Sequence, residues 1–137
     1  VAVFALTNQY NLVNAVNLSD HATAGTVVAD ADQLDSTAFG DAWREYTGGL
    51  KKGTYSITLL DDFAGGSVDA TIWAAFDAGV AVAVATRPVN TTISATNPEY
   101  QFNILPNQWN IGGTLGDMAG KSLSYPITGA ITRDVIA

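Results

Sequence analysis

The chain has 137 residues, with 13 carboxylates against 6 lysines and arginines, one histidine and no cysteine, for a formal charge of −7. That length fits a single domain over residues 1–137, since ordinary domains run to about 100–150 residues. Charged residues make up only 14% and hydrophobic ones 47%, which excludes a disulfide or thiolate-zinc scaffold, a basic nucleic-acid patch and a disordered acidic tail.

Taken in chain order, Val1 to Leu6 is apolar but no basic segment precedes it and Asn8 follows, so no signal peptide is expected there. From Tyr10 the even positions Leu12, Asn14, Val16 and Leu18 alternate with polar ones, predicting a half-buried strand that ends at Ser19-Asp20. Gly25 to Leu34 predicts a second strand, with Asp30 and Asp32 on one face because residues two apart point the same way. Asp35 to Gly53 loses periodicity and predicts a long loop. It holds four glycines, Gly40, Gly48, Gly49 and Gly53, but also Phe39, Trp43, Tyr46 and Leu50. Loops of that length inside a compact domain are usually functional or disordered, and the aromatics argue against disorder.

Thr54 to Leu60 resumes strand alternation. Ser67 then predicts the N-cap of a helix over Ser67–Ala78, with Asp69 in the first turn, an apolar stripe of Val68, Ile72, Trp73 and Phe76, and Gly79 just past its end. Ala70 to Thr86 is weakly polar but contains Asp77 and Gly79 and is too short to cross a bilayer, so no membrane partner is expected. Val80, Val82 and Val84 alternate with alanine up to Arg87-Pro88. Tyr100, Phe102 and Ile104 mark another strand, which Trp109 and Ile111 extend. Two late strands follow, one through Leu123, Tyr125 and Ile127 and one over Ala130 to Arg133. The sum is a mainly β fold: an antiparallel sandwich or barrel of six to eight strands with one flanking helix.

Material for chemistry is thin. His21 is the only imidazole, and Gly65-Gly66-Ser67-Val68-Asp69 lacks the second glycine of a nucleophile elbow, which leaves Ser67 as a helix cap. Asp30, Asp32, Asp35 and Asp41 loosely follow calcium-loop spacing, but Leu34 and Asp35 occupy the places of a ligand and the essential glycine. Asp61-Asp62 reads as turn chemistry, because sequence neighbours on a strand point to opposite faces. Asn17-Leu18-Ser19 and Asn90-Thr91-Thr92 match glycosylation sequons, which are frequent by chance. No catalytic residue, cofactor or metal ligand is assigned, and no enzyme is expected. More telling is distribution: five acids and no lysine or arginine lie between Asp20 and Asp41, and four acids with no base between Asp61 and Thr86.

The run from Leu34 through Asp35, Thr37, Gly40, Trp43, Gly49, Leu50 and Lys51 resembles the strand and long loop of tailed-phage major tail tube proteins, with their D-x-T-x-x-G…GL-K pattern. Val68-Asp69-Ala70-Thr71-Ile72-Trp73 and Asn97-Pro98-Glu99-Tyr100 are similar to the small siphophage members of the actinobacteriophage type. Gly116-Asp117 and the stretch Ser124 to Arg133 resemble that family's closing strands. The similarity runs from about Asp20 to Arg133.

The resemblance implies a virion protein that forms hexameric rings, stacked into a tail tube through which double-stranded DNA passes without specific binding. It also implies assembly in the host cytoplasm and contacts with tail terminator, tape-measure and tail-tip proteins. On this view Phe39, Trp43, Arg44, Tyr46, Leu50 and Lys51 form the contact between rings or subunits, and Asp30 and Asp32 face the lumen. Rival readings are a head decoration protein, a tail terminator, an Hcp-like secretion-tube protein, or an enzyme or small-molecule binder.

Overall fold

The computed structural model describes residues 3–136. Seven strands form one antiparallel sheet, in the order β2-β1-β5-β6-β7-β4-β3. They are β1 (Tyr10–Val13), β2 (Val16–Asn17), β3 (Ala22–Asp35), β4 (Tyr46–Leu60), β5 (Val82–Arg87), β6 (Glu99–Ile104) and β7 (Gly120–Asp134), with helix α1 (Val68–Ala78) between β4 and β5. β1 and β4 stand far apart in that order, yet the Tyr55 hydroxyl donates to Asn11 Oδ1 at 3.0 Å. The sheet is therefore rolled upon itself, and its two halves enclose one core.

That core takes Tyr55, Ile57 and Leu59 from β4, Leu123 and Tyr125 from β7, Phe102 and Ile104 from β6, and Val82 and Val84 from β5. Each set is spaced by two residues, as one face of a pleated strand requires. The rings of Tyr55 and Phe102 meet at 5.3 Å, and burial pushes the phenols of Tyr55 and Tyr125 up, so both remain hydrogen-bond donors.

Several elements differ from the sequence reading. The single strand expected from Tyr10 to Leu18 is a tight hairpin, β1 and β2, turning at Asn14 and Ala15 with positive φ angles of 49° and 63°. In β1 the inward residues are Asn11 and Val13 rather than Tyr10 and Leu12, while beyond the turn Leu18 is buried and Val16 packs against the core, as the even-numbered set expects. Buried Asn11 is bonded through Oδ1, which accepts from Tyr55 and Thr86, and through its backbone N–H, which donates to Ser19 Oγ at 2.8 Å, while its Nδ2 is buried without a partner. Gly25 permits this, since a Cβ there would sit 3.0 Å from Asn11 Oδ1 and 2.9 Å from Gln9 Oε1. Of the apolar run Val1–Leu6, Val1 and Ala2 lie outside the described residues, and Val3, Phe4 and Leu6 are exposed.

The long loop expected over Asp35–Gly53 shrinks to residues 36–45, because β4 begins at Tyr46. Two of its glycines, Gly49 and Gly53, are not breakers but points of close approach. A Cβ on Gly49 would meet Asp32 Cβ at 3.0 Å, and one on Gly53 would meet Ile127 Cδ1 at 3.0 Å. The two late strands are one, β7, bent at Gly129 (φ 85°). Residues 120–127 of β7 pair with β4, and residues 127–134 pair with β6 across a bulge.

Helix α1 has Ser67 at its N-cap and Gly79 in the left-handed region at φ 68°, as expected. Its buried stripe, however, is Val68, Thr71, Ile72 and Ala75, so Trp73 and Phe76 lie at its margin, 45% and 38% exposed. Nor does Ser67 cap through its side chain, since its hydroxyl donates to Asp62 Oδ2 at 2.8 Å. An ionic tether pins the helix to the core side of β7. Lys121 is fully buried, and its Nζ lies 2.9 Å from Asp69 Oδ1 and 3.2 Å from Asp61 Oδ1, with Asn110 O accepting at 3.0 Å. The Asp61 oxygens, also buried, receive no well-directed hydrogen bond, so their compensation comes from the ammonium charge alone.

Candidate functional site

β3 and β4 share the longest pairing in the sheet, and they outrun the body. The β4–β7 pairing ends at Gly53↔Ile127, whereas β3 and β4 remain paired from Ala29↔Gly53 out to Asp35↔Tyr46. The distal half is thus a two-stranded ribbon with no third strand. Isolated ribbons of this kind are marginal in water, and this one is stiffened at its tip. Ser36 N–H donates to Glu45 O, Ala38 N–H to Asp41 Oδ2, and Glu45 N–H to Thr37 Oγ1. Arg44 reaches Asp35 at 2.7 Å. The Thr37 hydroxyl first, then its amide N–H and Arg44, hold the Asp35 carboxyl below the ordinary carboxylate range.

This ordered tip presents apolar side chains to solvent. Phe39 is fully exposed, Trp43 is 85% and Leu50 83% exposed, and Leu34 and Tyr46 are each about half exposed. A buried aromatic removes about 150–250 Å² from water, worth roughly 4–6 kcal/mol at about 25 cal/mol per Å² before association costs. The tip therefore carries enough apolar surface to drive a contact.

The residues expected in one loop are spread along the ribbon. Phe39, Trp43 and Arg44 share the tip turn, Tyr46 opens β4 opposite Asp35, and Leu50 and Lys51 lie further down, Lys51 opposite Ala31. Asp30 and Asp32 do sit on β3. Asp30 is directly opposite Lys52, so cross-strand register brings a base beside it. Asp32 lies at a bulge, between the pairs Ala31↔Lys51 and Gln33↔Gly48.

A second surface was not read from the sequence. The outward face of β3, β4 and β7 forms cross-strand rows: Ala24–Thr58–Ser122, Thr26–Ser56–Ser124 and Val28–Thr54–Pro126. Ser56 and Ser124 hydroxyls lie 3.3 Å apart, and those of Thr58 and Ser122 3.2 Å apart. Beside β7 the segment around Trp109, expected to extend a strand, instead covers the edge with side chains. Gln108 Oε1 accepts from Ser124 N–H and Asn110 Nδ2 donates to Ser122 O, both at 3.1 Å.

His21 forms no catalytic arrangement with Ser67. Its Nδ1 and Nε2 each lie 3.1 Å from a carboxylate, Asp20 and Asp62, and Ser67 bonds the same Asp62 rather than the imidazole. The Ala64 N–H foremost, then Ser67 and His21, hold Asp62 below the ordinary carboxylate range. Among the described residues no cluster of three or more His, Cys, Asp or Glu side chains is placed to hold a metal ion.

No family model matches the sequence, and no curated protein matches it. Among solved structures, the chain is similar to one from the virion of a native gene transfer agent particle, with a TM-score of 0.78 and 14% identity over 96% of this chain and 98% of that one. It is also similar to a chain from the tail of an empty gene transfer agent particle refined helically with C6 symmetry, with a TM-score of 0.64 and 18% identity over 82% and 81% of the two chains. The fold is therefore one used end to end in a virion and, over most of its length, in a tail.

Proposed function

We propose that this chain is a structural, non-catalytic subunit of a phage-like tail, forming hexameric rings that stack into a tube for passage of double-stranded DNA. The fold held in common, over nearly the full length of both chains, with a component of a gene transfer agent virion carries this reading. The sixfold symmetry of the related tail supports the hexamer. A projecting ribbon that ends in exposed aromatics supports stacking, because contacts that repeat along an axis generate open filaments and interface cores are enriched in aromatic residues. Such a subunit resides in the virion after assembly in host cytoplasm, and its tube would meet terminator, tape-measure and tail-tip proteins at its ends and interior.

Negative-stain microscopy of the purified protein tests the reading: rings and tubes support it, whereas rings that cap without stacking favour a terminator and trimers a decoration protein. Phe39→Ser with Trp43→Ser should leave thermal stability within about 0.5 kcal/mol, as for exposed positions generally, yet abolish stacking. A double variant that still builds tubes of normal length would remove the ribbon tip from the contact.

A further inference from the structure

We infer that the hydroxyl face of β3, β4 and β7, rather than an acidic stripe, is the wall along which DNA moves; this rests on the tube reading above. The rows through Thr58, Ser56 and Thr54 contain no charged side chain, and Val28, about half exposed, is their largest aliphatic group. The next row, Asp30–Lys52, carries opposite charges that cancel. Such a face has little to contribute to a subunit contact, since interface cores rest on aromatic and apolar anchors. Apart from Val28, the large exposed apolar groups lie off these rows, among them those of the ribbon tip, Trp73 and Phe76 on α1, and Leu115 and Met118. When copies bury those, the hydroxyl face stays wet.

Its direction follows from the fold. Lys121 points from β7 to Asp69 of α1 while the adjacent Ser122 points to the hydroxyl face, so α1 and the core lie behind that face. In a closed ring the thicker side takes the longer outer circumference, which turns the hydroxyl face inward. Outward from Gly25, β3 borders that face with an edge that has no strand beside it. A further copy added at that edge carries the same surface around the ring.

The chemistry suits transit. Proteins hold a duplex by neutralising phosphates with lysine and arginine, and hold single strands by stacking bases on aromatics. These rows offer neither, and their hydroxyls are partly satisfied by one another across the strands. A polyanion meets a hydrated, neutral wall that gives it no place to stop.

The absence of cysteine makes a direct test possible. Ser56→Cys and, separately, Ser124→Cys are each exposed to a small maleimide and to a maleimide carried on a protein too large to enter the tube. Free protomers should react with both reagents. Assembled tubes should keep reaction with the small reagent and lose it with the bulky one. Bulky labelling along the tube walls would place the face outside. Loss of both reactions, or failure of both variants to assemble when the wild type does, would place it in a contact; either result overturns the inference. A wild-type chain that never forms rings or tubes fails earlier, at the assembly reading itself, and takes the inference with it.

Discussion

At the scale of single residues, Asp62 joins the turn after β4, the N-cap of α1 and the turn before β3, through Ala64 N–H, Ser67 Oγ and His21 Nε2. Its carboxyl titrates lower in the folded chain than in the unfolded one, because those donors favour the charged form. The stabilisation is thus complete above the ordinary carboxylate value, near 3.8, and is lost as pH falls through the depressed folded value. Asp62→Asn should melt lower than wild type near pH 6 and decline less steeply between about pH 5 and 2, as followed by thermal unfolding. Parallel curves would mean that Asp62 contributes nothing to the acid limb. None of this partnership is visible in the sequence, which offers Asp62 only as a turn residue; His21 comes to it from 41 positions away. Asn11 is the same case, because polar alternation marks it as outward, whereas inside the fold it bonds to Tyr55, Thr86 and Ser19 and leaves only its Nδ2 without a partner.

At the scale of elements, the helix was legible and its orientation only partly so. Ser67, Asp69 and Gly79 mark its ends by local backbone chemistry, which a sequence carries. Which residues face inward depends on what the helix packs against, and here Lys121 draws Asp69 toward β7 while Trp73 turns to meet Trp109 at 4.9 Å. Lys121→Met should destabilise the protein by about 3–5 kcal/mol in urea denaturation, since Asp61 then stays buried without its counter-charge. Adding Asp61→Leu should recover most of that loss, because replacing both partners with apolar groups removes the desolvation penalty. No recovery in the double variant would show that Asp69 and Asn110, not Asp61, need the ammonium. The hairpin of β3 and β4 was the harder element. Glycines at 48, 49 and 53 read as breakers along the chain, yet in the folded sheet two of them make room for Asp32 and Ile127.

At the scale of the whole molecule, the mainly β character and single helix followed from alternation and capping, whereas the charge pattern of the acid-rich segments changes once the strands are paired. Counting along the chain leaves Asp30 without a base, whereas strand register sets Lys52 opposite it. The hydroxyl rows were spelled out as Thr54, Ser56 and Thr58 and again as Ser122 and Ser124, a period-two pattern that gains meaning only once the strands lie side by side. Each copy still carries −7, so copies repel at low ionic strength while the candidate contacts at the ribbon tip are apolar. Raising salt from about 0.05 to about 0.5 M shortens the screening length and should lower the protein concentration at which rings and tubes sediment. A threshold that rises with salt would instead mark ion pairs as the dominant contact.

β7 is bonded to β4 along its first half and to β6 along its second, so one unbroken backbone belongs to both walls of the core. On that side of the core the walls are joined by backbone, while the edges β2 and β3 on the other side stay unpaired with each other. A load applied at the ribbon travels down β4 and crosses a ladder of hydrogen bonds that must fail together rather than in turn. Each protomer is consequently a stiff brick, and a tube made of such bricks would flex at its joints, with the curvature of a bending tail taken up between neighbours.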